Sequence, residues 1–199
     1  PGLCCRVRVI KTTGDRIQNV PLAGVGDKGL FVKQIEQALL AEEIDVAVHS
    51  AKDLPSQMDP RLCVAAYPVR EDPSDALVSR QGRLSELPHG AVVGTSSARR
   101  RAQLLHSRPD LRVVDLRGNL DTRLRKLDDG GYAAVVLALA GLRRMGWESR
   151  VTQVMPFDIC LPAAGQGALA VQCRTGDHAH DAVSGLDDPV TRRCVGAER

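Results

Sequence analysis

Aromatic residues are scarce: the 199-residue chain holds one Trp, two Tyr and two Phe. Cores must be built from Val, Leu, Ala and Ile, and a groove that stacks single-stranded nucleic acid on aromatic platforms is disfavoured. None of the six cysteines stands in a C-x-x-C pair, and no zinc-ligand spacing occurs, so no metal site is expected. A disulfide framework is unusual in a chain of this size, and the thiols are expected to be reduced, cytosolic and mostly buried. The longest apolar stretch, Tyr132 to Leu142, is too short to cross a bilayer, and no secretory signal is visible. A Walker-type phosphate loop is also missing, because Gly24-Val25-Gly26-Asp27-Lys28-Gly29 has glycines and a lysine at the wrong spacing. There are no internal repeats, and a net charge of +3 names no partner.

What is present is an alternation of short β-rich runs and helical patterns, which predicts an α/β chain with parallel sheets covered by helices. Strands are expected over Cys4–Thr12, Ile44–His49 and Leu62–Tyr67, with a helix over Leu30–Glu42. Arg70 to Ser74, containing Glu71-Asp72-Pro73, reads as a crossover. A second alternation follows: strands over Ala91–Gly94, Leu111–Leu116 and Tyr132–Ala138, helices over Ser97–Ser107, Asp121–Asp128 and from Ala140 to Met145. Gly165–Cys173 reads as a strand returning to the first unit. The expected layout is domain 1 over 1–69 plus 165–186, domain 2 over 70–164, and two crossings that frame an interdomain cleft. His178 and His180 lie in a polar stretch read as a solvated loop rather than a metal site.

Chemistry gathers where strands end. After Ile44–His49 come Ser50-Ala51-Lys52-Asp53, at the end of a strand read as buried and parallel, where α/β proteins place ligands. After Val93-Gly94 come Thr95, Ser96 and Ser97, which can cap a helix whose free N–H groups face an anion. Arg99, Arg100 and Arg101 then stand in the first helical turn, where the macrodipole favours acids. That misfit suits a bound polyanion. Arg117 follows the next strand in Leu116-Arg117-Gly118-Asn119, Arg123 opens the next helix, and Arg144 follows the strand after that. Between Arg99 and Lys126 nine Arg or Lys face three Asp, a net of +6. A cleft so lined suits a ligand with several carboxylates or phosphates. The rival reading is a non-enzymatic module that captures such an anion, but Asp53 would repel that ligand; a carboxylate there makes sense if positive charge develops during reaction.

Seven strings, in order, resemble the porphobilinogen deaminase (hydroxymethylbilane synthase) family. They are Thr13-Gly14-Asp15, Lys28-Gly29-Leu30-Phe31-Val32-Lys33, His49-Ser50-Ala51-Lys52-Asp53-Leu54-Pro55, Arg70-Glu71-Asp72-Pro73, Gly94-Thr95-Ser96-Ser97-Ala98-Arg99-Arg100, Leu116-Arg117-Gly118-Asn119, and Leu161-Pro162-Ala163-Ala164-Gly165-Gln166-Gly167-Ala168. The resemblance implies two periplasmic-binding-protein type II-like domains, a third smaller α+β domain, and a monomeric cytoplasmic enzyme. It implies a covalent dipyrromethane cofactor that primes the addition of four porphobilinogen units with loss of ammonia, followed by hydrolytic release of the tetrapyrrole hydroxymethylbilane. Asp53 would be the catalytic carboxylate. Ser50, Lys52, Thr95, Ser96, Ser97, Arg99, Arg100, Arg117, Arg123 and Arg144 would hold the carboxylates of cofactor, porphobilinogen and growing polypyrrole. Lys28 would lie in a lid, and Gln166, between two glycines near the return crossing, would be structural or hinge-related rather than catalytic.

The chain departs from the family at its ends. It begins at Pro1 and stops at Glu198-Arg199 within a helical pattern, so both ends are expected to be cut. The family's first strand is expected to be missing and its third domain essentially absent, with 187–199 only a stub. The Gly-Gly-Cys setting that carries the cofactor does not occur, so no cysteine here, Cys194 included, inherits the attachment role. The 199-residue chain alone is expected to be inactive.

Overall fold

The computed structural model describes residues 4–10 and 32–199. Lys28, Thr13-Gly14-Asp15 and the first two residues of the expected Leu30–Glu42 helix lie outside the described residues.

Two open sheets form the frame. The first is antiparallel throughout, in the order β1 (Val46–Ser50), β8 (Leu169–Arg174), β2 (Leu62–Ala66). The second has the order β5 (Arg112–Val114), β4 (Val92–Gly94), β6 (Ala134–Ala138), β3 (Asp75–Ser79), β7 (Gln153–Val154). Here β4 runs parallel to β5 and β6, while β3 is antiparallel to β6 and β7. The expectation of parallel sheets therefore holds only for β5-β4-β6. β1 is not a buried parallel strand either: it alternates exposed and buried residues, and Val48 is 63% exposed. Alternation of this kind marks a half-buried strand.

The helices are α1 (Lys33–Leu40), α2 (Ala98–Ser107), α3 (Leu120–Asp128), α4 (Leu139–Arg144), α5 (His178–Ser184) and α6 (Pro189–Glu198). α1 stops short of Glu42, which turns the chain with φ 57°. α2 starts where Ser97 caps it, the hydroxyl accepting from the Arg100 N–H at 3.4 Å, and Asn119 caps α3 through the Thr122 N–H at 2.9 Å. β6 is covered on both faces. Ala134 and Val136 pack with Leu104 of α2 on one face, and Val135 and Leu137 pack with Leu124 and Leu142 on the other. Each fully buried leucine contributes about 1.5–3 kcal/mol.

Four further expectations need correction. Residues 4–10 of the expected first strand have no regular structure, and Val7 and Val9 are 88% and 83% exposed. Their alternation has no sheet to serve, since β1 pairs only with β8 among the described residues. His178 and His180 stand on α5, which Asp177 caps, rather than in a loop. Gly165 to Gly167 form a turn and Ala168 precedes β8, because Gly165 and Gly167 take φ of 70° and 86°. The cysteines are not mostly buried: Cys4, Cys5 and Cys194 are exposed and Cys63 is half-buried, leaving Cys160 and Cys173 inside.

Candidate functional site

The two segments that cross between the sheets are stitched together. The Glu71 N–H donates to the Gly167 carbonyl at 3.2 Å, Arg70 Nε to the Gln166 carbonyl at 2.9 Å, and Gln166 Nε2 to the Pro73 carbonyl at 2.6 Å. A Cβ on Gly167 would lie 2.2 Å from the Glu71 carbonyl oxygen, so only glycine fits there.

One wall of the site hangs from β1. Its last residue, Ser50, leads into a single 3-10 turn, Ala51–Asp53, anchored by the Ala51 N–H on the Ala168 carbonyl at 3.0 Å. Lys52 turns back to Gln166 Oε1 at 3.4 Å. Asp53 is exposed yet closely surrounded by protein, within electrostatic range of Lys52, His49 and Arg123. That partial desolvation raises its pKa, against the pull of Lys52, His49 and Arg123. His49 itself is buried on Gln172 Oε1 at 3.0 Å, and burial lowers its pKa.

The opposite wall is the rim where β4, β5 and β6 end. Gly94 allows Tyr132 and Leu116 to close on the backbone, since a Cβ would meet them at 2.8 and 3.0 Å. The hydroxyls that follow serve the protein. Thr95 Oγ1 accepts from the Ser97 N–H at 3.2 Å, and Ser96 Oγ bridges the Leu116 carbonyl and N–H at 2.8 and 3.1 Å. Together with the Ser97 cap they shape this rim, and Thr95 is 1% exposed.

The deciding residue on this wall is one the sequence did not reveal, Asp75. It is fully buried at the start of β3, and because β3 runs antiparallel to β6 its first residue reaches the rim where β6 ends, opposite Ala138. Oδ1 accepts from Arg100 Nε and Nη2 at 3.0 and 2.7 Å and from Gln166 Nε2 at 2.8 Å. Oδ2 takes Arg99 Nη2 at 2.8 Å and the Cys160 thiol at 3.1 Å. Burial alone would raise the Asp75 pKa, but Arg100, Arg99 and the hydrogen bonds outweigh it and the pKa falls. Burial and Asp75 push Cys160 up to about 11, so it stays a thiol. The arginines at the start of α2 thus find part of their counter-charge in the protein itself. Arg100 is buried and its third contact is the Val136 carbonyl at 3.0 Å, whereas Arg99 remains partly exposed.

The remaining cations complete the wall. Arg123 Nε holds the Gly118 carbonyl at 2.7 Å, and burial, then Arg100 and Arg117, lower its pKa while Asp53 opposes. Burial, then Arg100, likewise lowers the Lys52 pKa. Arg144 reaches across to the Gly167 carbonyl at 2.6 Å, at the crossing rather than beside Asp53. Lys52, Asp53, Arg99, Arg100, Arg117 and Arg123 therefore form one electrostatically linked group. Not all of the +6 counted between Arg99 and Lys126 faces it: Arg101, Arg108 and Arg125 pair with Asp115, Asp110 and Asp121. No cluster of His, Cys, Asp or Glu able to hold a metal occurs among the described residues.

A family model described as "Porphobilinogen deaminase, dipyromethane cofactor binding domain" matches residues 2–182. The chain belongs to the porphobilinogen deaminase family. It is 55% identical over 195 residues to the porphobilinogen deaminase of Paenibacillus macerans, a match covering 97% of this chain and 60% of that protein. It is 54% identical over 202 residues to that of Bacillus subtilis (strain 168), covering all of this chain and 64% of that one. The chain thus spans about three-fifths of the length of these curated relatives. Among solved structures it is similar to protein PG110 from Staphylococcus aureus, with a TM-score of 0.50 at 13% identity over 81% of this chain and 75% of that one. A lipoprotein of Bacillus subtilis gives a TM-score of 0.51 at 13% identity, covering 81% and 77%. At such identities the likeness concerns fold alone: the chain has the periplasmic-binding-protein type II-like α/β fold with open sheets. No helix among the described residues is long and apolar enough to cross a membrane.

Proposed function

We propose that the complete protein is a hydroxymethylbilane synthase, a monomeric cytoplasmic transferase that joins four porphobilinogen units to a dipyrromethane primer with release of ammonia and then frees the linear tetrapyrrole by hydrolysis. The same proposal divides the chain into 1–69 with 165–186 and 70–164, with 187–199 leading toward a third domain.

The observation that carries this reading is the crowding of cations around Asp53. Lys52 and Arg123 both have lowered pKa values, through burial first and then through like-charged neighbours. Asp75 already spends both oxygens on Arg99, Arg100, Gln166 and Cys160. An incoming polycarboxylate relieves the residual repulsion. This donor set fits dipyrromethane, whose rings carry acetate and propionate groups that Lys52, Arg99, Arg117, Arg123 and Arg144 would hold, with Ser50, Thr95, Ser96, Ser97 and Arg100 building the wall behind them. When bound, the group supplies the pyrrole carbon to which the first porphobilinogen is joined.

Asp53 accepts hydrogen bonds from pyrrole N–H groups and stabilises the cation left on porphobilinogen as its amine departs. Its raised pKa makes it a stronger base than a fully solvated aspartate. It is suited to deliver a proton to the leaving amine and to recover one from the ring that gains the new bond. In each cycle one C–N bond breaks, one C–C bond forms, one ring C–H proton is lost and ammonia leaves, so Asp53 ends as it began.

The complete protein, purified and weighed intact, should exceed its calculated mass by two linked pyrroles. It should consume porphobilinogen, while D53N should bind it but turn it over about 10²- to 10⁴-fold more slowly. An unmodified mass after supply of porphobilinogen, together with no turnover, would overturn the proposal.

A further inference from the structure

The turn that presents Asp53 has little of its own to hold it. Beyond the anchor at Ala51, its one internal backbone bond is the long contact of the Leu54 N–H on the Ala51 carbonyl at 3.3 Å. A single guanidinium from outside gathers three carbonyls at its start and just beyond its end. Arg199 Nη1 donates to the Ala51 carbonyl at 2.7 Å, and Nη2 to the Leu54 and Pro55 carbonyls at 3.2 and 2.7 Å. These acceptors flank Lys52 and Asp53 on both sides. The fork therefore spans the turn as a brace, a role its planar, fixed geometry suits better than a flexible ammonium.

The preceding side chain reaches the other way. Glu198 accepts from Arg70 Nη1 and Nη2 at 2.6 and 2.9 Å and from the Gly165 N–H at 2.7 Å. Arg70 and Gly165 belong to the two crossing segments. Val195, one turn earlier on α6, is buried with Ala51 and Leu54.

We propose that Arg199 is a positioning residue for Asp53, and that with Glu198 it makes the end of α6 a strut fixing the Asp53 turn relative to the crossings. Resting on the role given to Asp53 above, this makes α6 part of the catalytic machinery without any contact to substrate. A shift of α6 is passed on to the direction of the carboxylate.

The test uses the complete protein with R199A and R199K, reading backbone amide exchange at Lys52–Leu54, the thermal midpoint, and kcat and KM for porphobilinogen. Loss of the brace lowers local opening energy, so R199A should exchange at these amides about tenfold faster or more, with distant strands unchanged. Misaimed by a fraction of an ångström, Asp53 should lose about tenfold to a hundredfold in kcat per folded molecule, with KM within about threefold. R199K, able to reach some of the three carbonyls, should fall between. Wild-type exchange and kcat in R199A would overturn the proposal, as would a loss that merely tracks the unfolded fraction. If R199A does not fold, R199K decides, and wild-type exchange and kcat in it would count against the brace. Should the wild-type protein show no turnover, the assigned function falls, whereas the exchange result still decides whether Arg199 orders the turn.

Discussion

Asp53 and Asp75 face overlapping sets of cations, yet their acidities move in opposite directions. Asp75 takes five donors and no solvent, so its pKa is lowered despite burial. Asp53 accepts none of the side-chain hydrogen bonds described, is exposed, and has its pKa raised by desolvation. The two therefore divide labour: one holds arginines still, the other remains available for proton traffic. D53N should cost about 10²- to 10⁴-fold in kcat, measured by tetrapyrrole formation. In the wild type the acid limb of the kcat/KM profile should lie above that of a solvated aspartate. Stability should follow the same sign. A folded-state pKa above the unfolded value means that folding takes up a proton between the two, so this group's contribution falls as pH rises through that window. D53N should accordingly raise the thermal midpoint at neutral pH; a lower midpoint would contradict the desolvation argument. For Asp75 the sign reverses: its contribution is present above the unfolded carboxylate pKa and lost as pH drops through the depressed folded value. D75A leaves two guanidiniums without their partner and should cost about 3–5 kcal/mol in denaturant unfolding.

At the scale of elements, the crossings and the rim show what could be read in advance and what could not. The run from Gly94 through Ser97 into α2 was legible because capping and a strand-to-helix turn leave local signals, and so was Ser50 to Asp53 after β1. β3 was not. Its Ala-Leu-Val core is only three residues long and starts with a charged residue, a pattern that local periodicity cannot tell from a loop. Its antiparallel pairing with β6 is what carries Asp75 to the rim, and pairing is a long-range fact. Counting charge failed for the same reason: adjacency in sequence cannot say that Arg101, Arg108 and Arg125 are already matched by Asp115, Asp110 and Asp121. Gln166 was read from its flanking glycines as structural or hinge-related, but its grip on Asp75 and Lys52 was not legible. The crossings yield a prediction of their own. G167A forces a positive φ on alanine and drives its Cβ into the Glu71 carbonyl. It should cost at least about 1–3 kcal/mol and separate the crossing segments, visible as faster amide exchange at Glu71 and Ala168.

Over the whole molecule, cations and acids are distributed unevenly in depth. The exposed pairs, such as Arg61 with Asp59 and Arg150 with Asp128, sit in water, where salt weakens them and their loss costs little. Lys52 and Arg123 are partly buried beside other cations, where screening is weaker and a bound anion is the natural partner. A polycarboxylate should therefore raise the thermal midpoint of the protein, and the rise should shrink as ionic strength climbs from about 0.05 to about 0.5 M, as the Debye length contracts below the span of the site. Replacing Asp53 with Asn removes the carboxylate beside Lys52 and Arg123 and should enlarge that rise, even as it slows turnover. Replacing Arg123 with Gln should reduce the rise, while R61Q at the surface should leave it unchanged. If R61Q and R123Q diminish it equally, binding is diffuse attraction to a basic surface. If only R123Q does, the anion sits between the two walls, where Asp53 can reach it.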